Sequence, residues 1–276
     1  MTHFNNTAQM DITTTIGCTV GCAYCPQKKT SLFYRNKGLP VKSNFMSFET
    51  FVACLSKIPK SVQINFAGYS EPFLNPLCTE MILYARAEGY AISLYTTLVG
   101  LSVEKIKQLS LIPFVSVDIH LPTTLGEERI PINDSYKEKL RIALDILLNS
   151  NCVKMDWEGN DILIDTLDNY DLKSRIYSVP INTRAANLSN DLIPHPPRRS
   201  GKLQCDRHLY SNVLLPNGDV TICCQDFGMN HIIGNLMNDT YENLFKSSEF
   251  DRVQRGLQNE NADTLCRQCE YALNIT

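Results

Sequence analysis

Three cysteines within eight residues, Cys18-x3-Cys22-x2-Cys25, constrain this 276-residue chain more than any other feature. Three closely spaced thiolates suit three corners of a cubane [4Fe–4S] cluster, which normally takes one Cys per iron, and the fourth iron is then left open. Gly17 and Gly21 let the backbone curl around a bulky anion, and the amides of such a turn can hydrogen-bond cluster sulfides. The competing readings are a zinc site or three unrelated core thiols. Zinc wants a fourth protein ligand close by, and none stands near the triad in the chain.

The length suits one catalytic domain plus a small appendage, and the net charge of −3 gives no electrostatic reason to expect nucleic acid or a membrane surface as a partner. Eleven cysteines in a secreted chain would suggest disulfides, but Met-Thr-His-Phe-Asn-Asn lacks the basic and apolar regions of a signal peptide. No apolar run is long enough to span a bilayer. The expectation is a cytoplasmic protein whose clustered thiols are reserved for metal.

Strand-like and helix-like patterns alternate through the first two-thirds. Strands are expected at about 9–16, 61–67, 91–97 and 114–120, and helices at about 47–58, 75–88, 103–110 and 135–149. This βαβα series predicts an α/β fold with a parallel sheet and right-handed crossovers, closed or partly closed into a barrel, with chemistry at the carboxyl ends of the strands. The proline-rich run from Ile193 to Lys202 reads as a linker with solvated basic residues, dividing the chain into residues 1–192 and 193–276. In the second part, Asn217-Gly218 between two β-branched runs signals a hairpin with a type I′ turn. Cys205 precedes that hairpin, Cys223 ends it, and Cys266-x2-Cys269 follows a helical segment from Tyr241 to about Gly256. Two separated pairs suit either zinc or a cubane, and spacing alone does not choose between them.

The triad, with aromatic Tyr24 just before its last Cys, resembles the signature of the radical S-adenosylmethionine (SAM) superfamily. That resemblance implies a partial (β/α)6 TIM-like barrel in which SAM chelates the open iron and is cleaved reductively to a 5′-deoxyadenosyl radical. Gly68-Tyr69-Ser70-Glu71-Pro72 resembles the family's Gly-Gly-Glu-Pro motif, which helps orient the methionyl amine. Here the second Gly is Tyr69 and the spacing to the Glu is one longer. By the same resemblance Thr97, Ser116 and Asp118 on later strands supply polar contacts to SAM. Arg184, after another apolar segment, would clamp the SAM carboxylate or a substrate hydroxyl.

Cys205-x12-Gly218-x4-Cys223 followed by Cys266-x2-Cys269 is similar to the SPASM auxiliary-cluster domain, in its shortened twitch form. Four ligands imply one fully ligated auxiliary [4Fe–4S] cluster, making two in all. The layout resembles twitch-type aminocyclitol dehydrogenases, which implies oxidation of a secondary alcohol of a sugar or aminocyclitol to a ketone. Arg184 or Asp226 would be the base, and a flavodoxin- or ferredoxin-type protein the electron donor. Two other reactions are epimerisation of a sugar or peptide, with Cys224 returning the hydrogen, and modification of a ribosomal peptide. Cys54, Cys78 and Cys152 are expected to be small buried hydrophobes. His120 is weighed as a general base against a hydrogen-bonded core residue.

Overall fold

The first strand enters the sheet at Gln9 and everything that follows is laid beside it. The computed structural model describes residues 8–38, 44–122, 129–147, 153–156, 163, 166–167, 170, 176–177, 182–188 and 195–275; Cys152 and the segment leading to Arg184 lie outside these. Strands β1 (Gln9–Ile12), β2 (Gln63–Phe66), β3 (Ile92–Thr96), β4 (Ser116–His120), β5 (Val153–Asp156) and β6 (Ile176–Tyr177) lie side by side in chain order, each parallel to the next. Between them run α1 (Gln27–Asn36), α2 (Phe48–Leu55), α3 (Cys78–Ala87), α4 (Val103–Leu109) and α5 (Asp134–Leu147). Ser47 and Ser102 cap α2 and α4 by accepting from Thr50 N (3.1 Å) and Lys105 N (3.3 Å). α1 escapes a periodicity reading because only Thr30 and Tyr34 of its ten residues are buried.

Alternation along the strands sorts the side chains onto two faces. Met10, Ile12, Ile64, Phe66, Leu94 and Ile119 are buried in one apolar cluster with Phe51, Met81, Ile82, Leu140 and Leu144 of the helices. Each such side chain contributes about 1.5–3 kcal/mol by leaving water. Cys54 and Cys78 belong to that cluster, as expected of small hydrophobes. The intervening positions, Asp11, Asn65, Ser93, Tyr95, Asp118 and His120, give the concave face a polar lining.

Beyond the barrel strands, β7 (Leu203–Gln204) pairs with β11 (Leu273–Asn274). β8 (Ser211–Leu214) lies parallel to β1, and β9 (Asp219–Thr221) and β10 (Ile232–Asn235) continue antiparallel, giving the order β10-β9-β8-β1-β2-β3-β4-β5-β6. The sheet therefore runs across the division expected near residue 193, and it is open, with β6 and β10 at its edges. This is an α/β fold with a partial barrel.

Two local expectations are corrected. The hairpin turn is not type I′, because Gly218 has a positive φ of 88° and Asn217 does not. Pro216 sets the first turn position, Gly218 N–H returns to Leu215 O (2.9 Å), and Gly218 forms the left-handed bulge that follows a type I turn. The single helix expected from Tyr241 is two, Tyr241–Leu244 and Ser248–Gly256, because Ser247 turns extended and caps the second through Phe250 N (3.2 Å).

The basic linker is also tied down. Arg198 donates to Glu260 O and Ala262 O, and Arg199 to Cys269 O. Arg267, fully buried, donates to the carbonyls of Gly256, Leu257, Arg199 and Gly201. Arg267→Ala strands these acceptors, and urea unfolding is expected to show a loss on the order of 3 kcal/mol. Among the described residues no helix is long and apolar enough to cross a membrane.

Candidate functional site

At the carboxyl ends of the strands lies a cavity of about 310 Å³, within the range of small-molecule sites. Its wall includes Cys18, Cys22 and Cys25. Burial pushes the Cys18 and Cys25 thiols above their ordinary pKa, opposed by N–H groups aimed at the sulfurs: those of Glu71, Val20 and Gly21 at Cys18, and the side chain and backbone of Gln27 at Cys25. Gln27 also accepts from Cys18 N (3.2 Å) and donates to the Tyr69 carbonyl, so one amide pins both ends of the cysteine loop. Donors converging on sulfur are what thiolates ligating a cluster require.

The loop after β2 closes over this site. Gly68 sits at a φ of +73°, and a Cβ there would lie 2.2 Å from Thr13 Oγ1, so no other residue fits without displacing β1. Ser70 donates to Thr15 O (2.7 Å). Glu71 accepts from Thr96 Oγ1 (2.8 Å), Phe73 N (3.3 Å), Thr97 N (2.6 Å) and Thr97 Oγ1 (2.7 Å). Burial raises its pKa despite these bonds. With four donors on one carboxylate, Glu71 latches this loop to the end of β3, and an ammonium reaches it only if a threonine hydroxyl turns away.

Tyr24, Gly68, Ser70, Glu71, Thr97, Arg184 and Cys224 all line the cavity. Tyr24 hydroxyl is bonded to His120 Nε2, and Tyr95 hydroxyl lies 3.4 Å from Nδ1, so His120 is a wall residue held between two phenols. Arg184, at a left-handed φ of 51°, has its guanidinium 5.8 Å from the Phe227 ring. Ser116, Asp118 and Asp226 are placed elsewhere. Ser116 opens β4 at its amino end and donates to Ser93 Oγ (3.1 Å). Asp118 accepts from the Tyr177 hydroxyl (2.9 Å). Asp226 is fully buried, its carboxylate taken by Asn230 N (2.9 Å) and His231 N (2.8 Å), where it shapes the turn after Cys224.

The other four cysteines, Cys205, Cys223, Cys266 and Cys269, line one separate enclosed hollow. Burial drives all four thiols upward, and together with the neighbouring Cys205 it brings Cys266 to about 12 and Cys269 to about 11. Backbone N–H groups of Arg207, Gln225 and Tyr271 point at Cys205, Cys223 and Cys269. Buried thiols that suppress one another's ionisation, with amides already aimed at them, fit a cationic centre that deprotonates its ligands. Among the described residues no three His, Cys, Asp or Glu side chains close on a single ion, whereas a cubane offers a separate iron to each thiolate.

The two sites share a wall. Gln225 lines both, Cys223 faces the four-thiol hollow and Cys224 the larger cavity. Tyr69, in the position where the family motif has glycine, spans the gap. Its hydroxyl donates to Cys223 O (3.0 Å) and pairs with Thr221 Oγ1 (2.8 Å), while its carbonyl takes the Gln27 amide.

Asp11, Gln27, Tyr69 and Arg207 were not singled out from the sequence. Asp11 left one signal, a lone carboxylate between Met10 and Ile12 in a β-branched strand. It lines the cavity, 7 % exposed, and accepts from Asn65 Nδ2 (2.9 Å). Burial raises its pKa from 3.8 to about 6, moderated by Asn65 and by the Arg207 charge. The folded chain therefore holds this proton more tightly than the unfolded one, and stability falls as pH rises from 3.8 to about 6 and stays reduced above. Asp11→Asn is expected to stabilise the metal-free chain at pH 8 by on the order of 2–3 kcal/mol and much less at about pH 4.5, read by urea unfolding.

Fold and thiol sites together are arranged as the resemblance to radical SAM proteins of the SPASM/twitch kind implies. Residues 205–270 match the family described as SPASM, an iron–sulfur cluster-binding domain. The whole fold is similar to the crystal structure of BtrN in complex with AdoMet and 2-DOIA, at 15% identity and a TM-score of 0.61, covering 96% of this chain and 98% of that one. It is also similar to native anSMEcpe with bound AdoMet, at 14% identity and a TM-score of 0.51, covering 95% of this chain and 86% of that one. No curated protein sequence matches.

Proposed function

We propose that the chain is a dehydrogenase that oxidises a secondary alcohol of a sugar or aminocyclitol to a ketone. Its cofactors are two [4Fe–4S] clusters and SAM, and its electron donor is a flavodoxin- or ferredoxin-type protein. It works in the cytoplasm, independently of nucleic acid and membranes. The observation that carries this reading is the wall formed by Cys223, Cys224 and Gln225, which sets a four-thiol site directly behind the cavity that the cysteine triad lines.

SAM at the first site supplies a hydrogen-abstracting radical on one-electron reduction, and a cluster with four protein ligands supplies an electron acceptor. The chain's residues bind and orient. Gln27 and the amides of residues 20, 21 and 71 hold the Cys25 and Cys18 sulfurs. Arg184 presents a fork of donors suited to a carboxylate or hydroxyl, and its place in the cavity wall puts that fork within the site. Asp11, Thr97 and Arg184 in the cavity wall supply hydrogen-bonding points for a hydroxylated substrate. Further support is the likeness to BtrN, crystallised with AdoMet and 2-DOIA.

Epimerisation is the second reading, favoured by Cys224, whose sulfur lies in the cavity wall with Arg207 Nη1 and Gln225 Nε2 each 3.7 Å away. The two reactions separate by mass in deuterated water. With SAM, a reductant and a panel of aminocyclitols and sugars under strict exclusion of oxygen, dehydrogenation yields a product lighter by about two mass units. Epimerisation instead adds one deuteron without net oxidation. Reconstitution that stops well short of about eight irons per chain, or an absence of SAM cleavage, defeats both.

A further inference from the structure

We propose that Asp11 is the catalytic residue that takes the hydroxyl proton of the alcohol as it becomes a ketone, an assignment that rests on the dehydrogenase reading above. One of its oxygens is anchored and the other is not. Oδ1 accepts from Asn65 Nδ2 (2.9 Å), its partner across the β1–β2 register, while Oδ2 has no hydrogen-bond partner among the described residues. The side chain is more than nine-tenths buried and lines the 310 Å³ cavity together with the cysteine triad and Cys224. A fixed, largely dehydrated carboxylate with a vacant lone pair facing a ligand cavity is a hydrogen-bond acceptor waiting for a donor that none of the described residues supplies. A substrate hydroxyl is such a donor.

The other acidic groups are less suited. Glu71 has four donors of its own, and Asp226 is sealed in the turn at residues 226–231. Arg184 is a cation and accepts no proton until it has lost one. Position also favours Asp11, since Cys224 lines the cavity with it and Cys223 faces the four-thiol hollow behind. The step balances. The carbinol carbon gives a hydrogen atom to the SAM-derived radical, the hydroxyl gives its proton to Asp11 Oδ2, and one electron passes to an iron–sulfur cluster at Cys205, Cys223, Cys266 and Cys269. The C–O single bond becomes a carbonyl. A carboxyl whose burial lifts its proton affinity toward neutrality is the better proton acceptor.

The test compares the full-length reconstituted protein with Asp11→Asn, which keeps the Asn65 bond and the shape but cannot take a proton. An iron content and cluster EPR spectrum like the parent's certify the fold of the variant. The probes are 2-deoxystreptamine, myo-inositol and glucose. With the probe that the parent oxidises, ketone formed per 5′-deoxyadenosine is expected to fall roughly 100-fold or more. Ketone formation by Asp11→Asn at the parent's ratio overturns the proposal. Parent-minus-variant infrared spectra, taken with SAM and without reductant, read the Asp11 carboxylate directly. Its band is expected to shift when the probe is added. If the parent cleaves SAM yet oxidises no probe, the dehydrogenase reading fails on its own, and a band that no probe moves removes Asp11 as the substrate-facing group as well.

Discussion

Replacing Cys18, Cys22 and Cys25 together by alanine is expected to lower reconstituted iron from about eight to about four per chain and to abolish SAM cleavage. The effect is total because Cys224, the other thiol in that cavity wall, cannot hold a cubane alone. The three line one cavity, and amides from three separate stretches of chain are aimed at the Cys18 and Cys25 sulfurs. The remaining iron should sit at the four-thiol site, whose ligands come from another part of the sheet and a different hollow. Iron analysis, the EPR spectrum and 5′-deoxyadenosine formation measure this. A variant that still binds about eight irons, or still cleaves SAM, removes the triad as the cluster site.

The converse variant, Cys266→Ala with Cys269→Ala, is expected to keep SAM cleavage and lose ketone formation by 100-fold or more, an electron acceptor having been removed rather than the radical source. About four irons should again remain, now at the triad. A cost in stability is expected too. Cys266 and Cys269 bracket Arg267, whose guanidinium ties four carbonyls of residues 199–257 together, so iron bound there would secure the same short segment as these hydrogen bonds. Thermal unfolding before and after reconstitution separates the contributions, because only the parent should gain from iron at this site. Ketone made at the parental rate by the double variant would remove the four-thiol site from the reaction.

Much of the molecule was legible in advance. The βαβα pattern placed four barrel strands within a few residues, and Ser47 declared the start of α2 by its side chain alone. The seven cysteines sort into the two sites that their spacing and the family resemblance suggested. Failures came where the folded chain gave a side chain a partner that spacing and residue type did not reveal. Ser116 and Asp118 stand on the right strand, but each is held by a residue far along the chain, Ser116 by Ser93 and Asp118 by Tyr177. Asp226 looked like a base because it follows Cys224. Instead it is consumed by backbone amides four and five residues on. The helix expected from Tyr241 broke because Ser247 found a better bond as a cap than within a helix.

Local chemistry, then, carried the Cys18, Cys22 and Cys25 grouping, the strand–helix alternation and the turn at Gly218, since each depends on neighbours within a few residues. Nothing local brings β8 beside β1, 202 residues away at Gln9 and Ser211, yet that pairing puts Cys224 and Gln225 into the wall of the triad's cavity. It also buries Asp11 beneath that wall and lets Tyr69 reach Cys223. Hydrogen-bond vacancy and burial are properties of the assembled sheet, and only there does one carboxylate in a β-branched strand become a group facing the cavity that the cysteine triad lines.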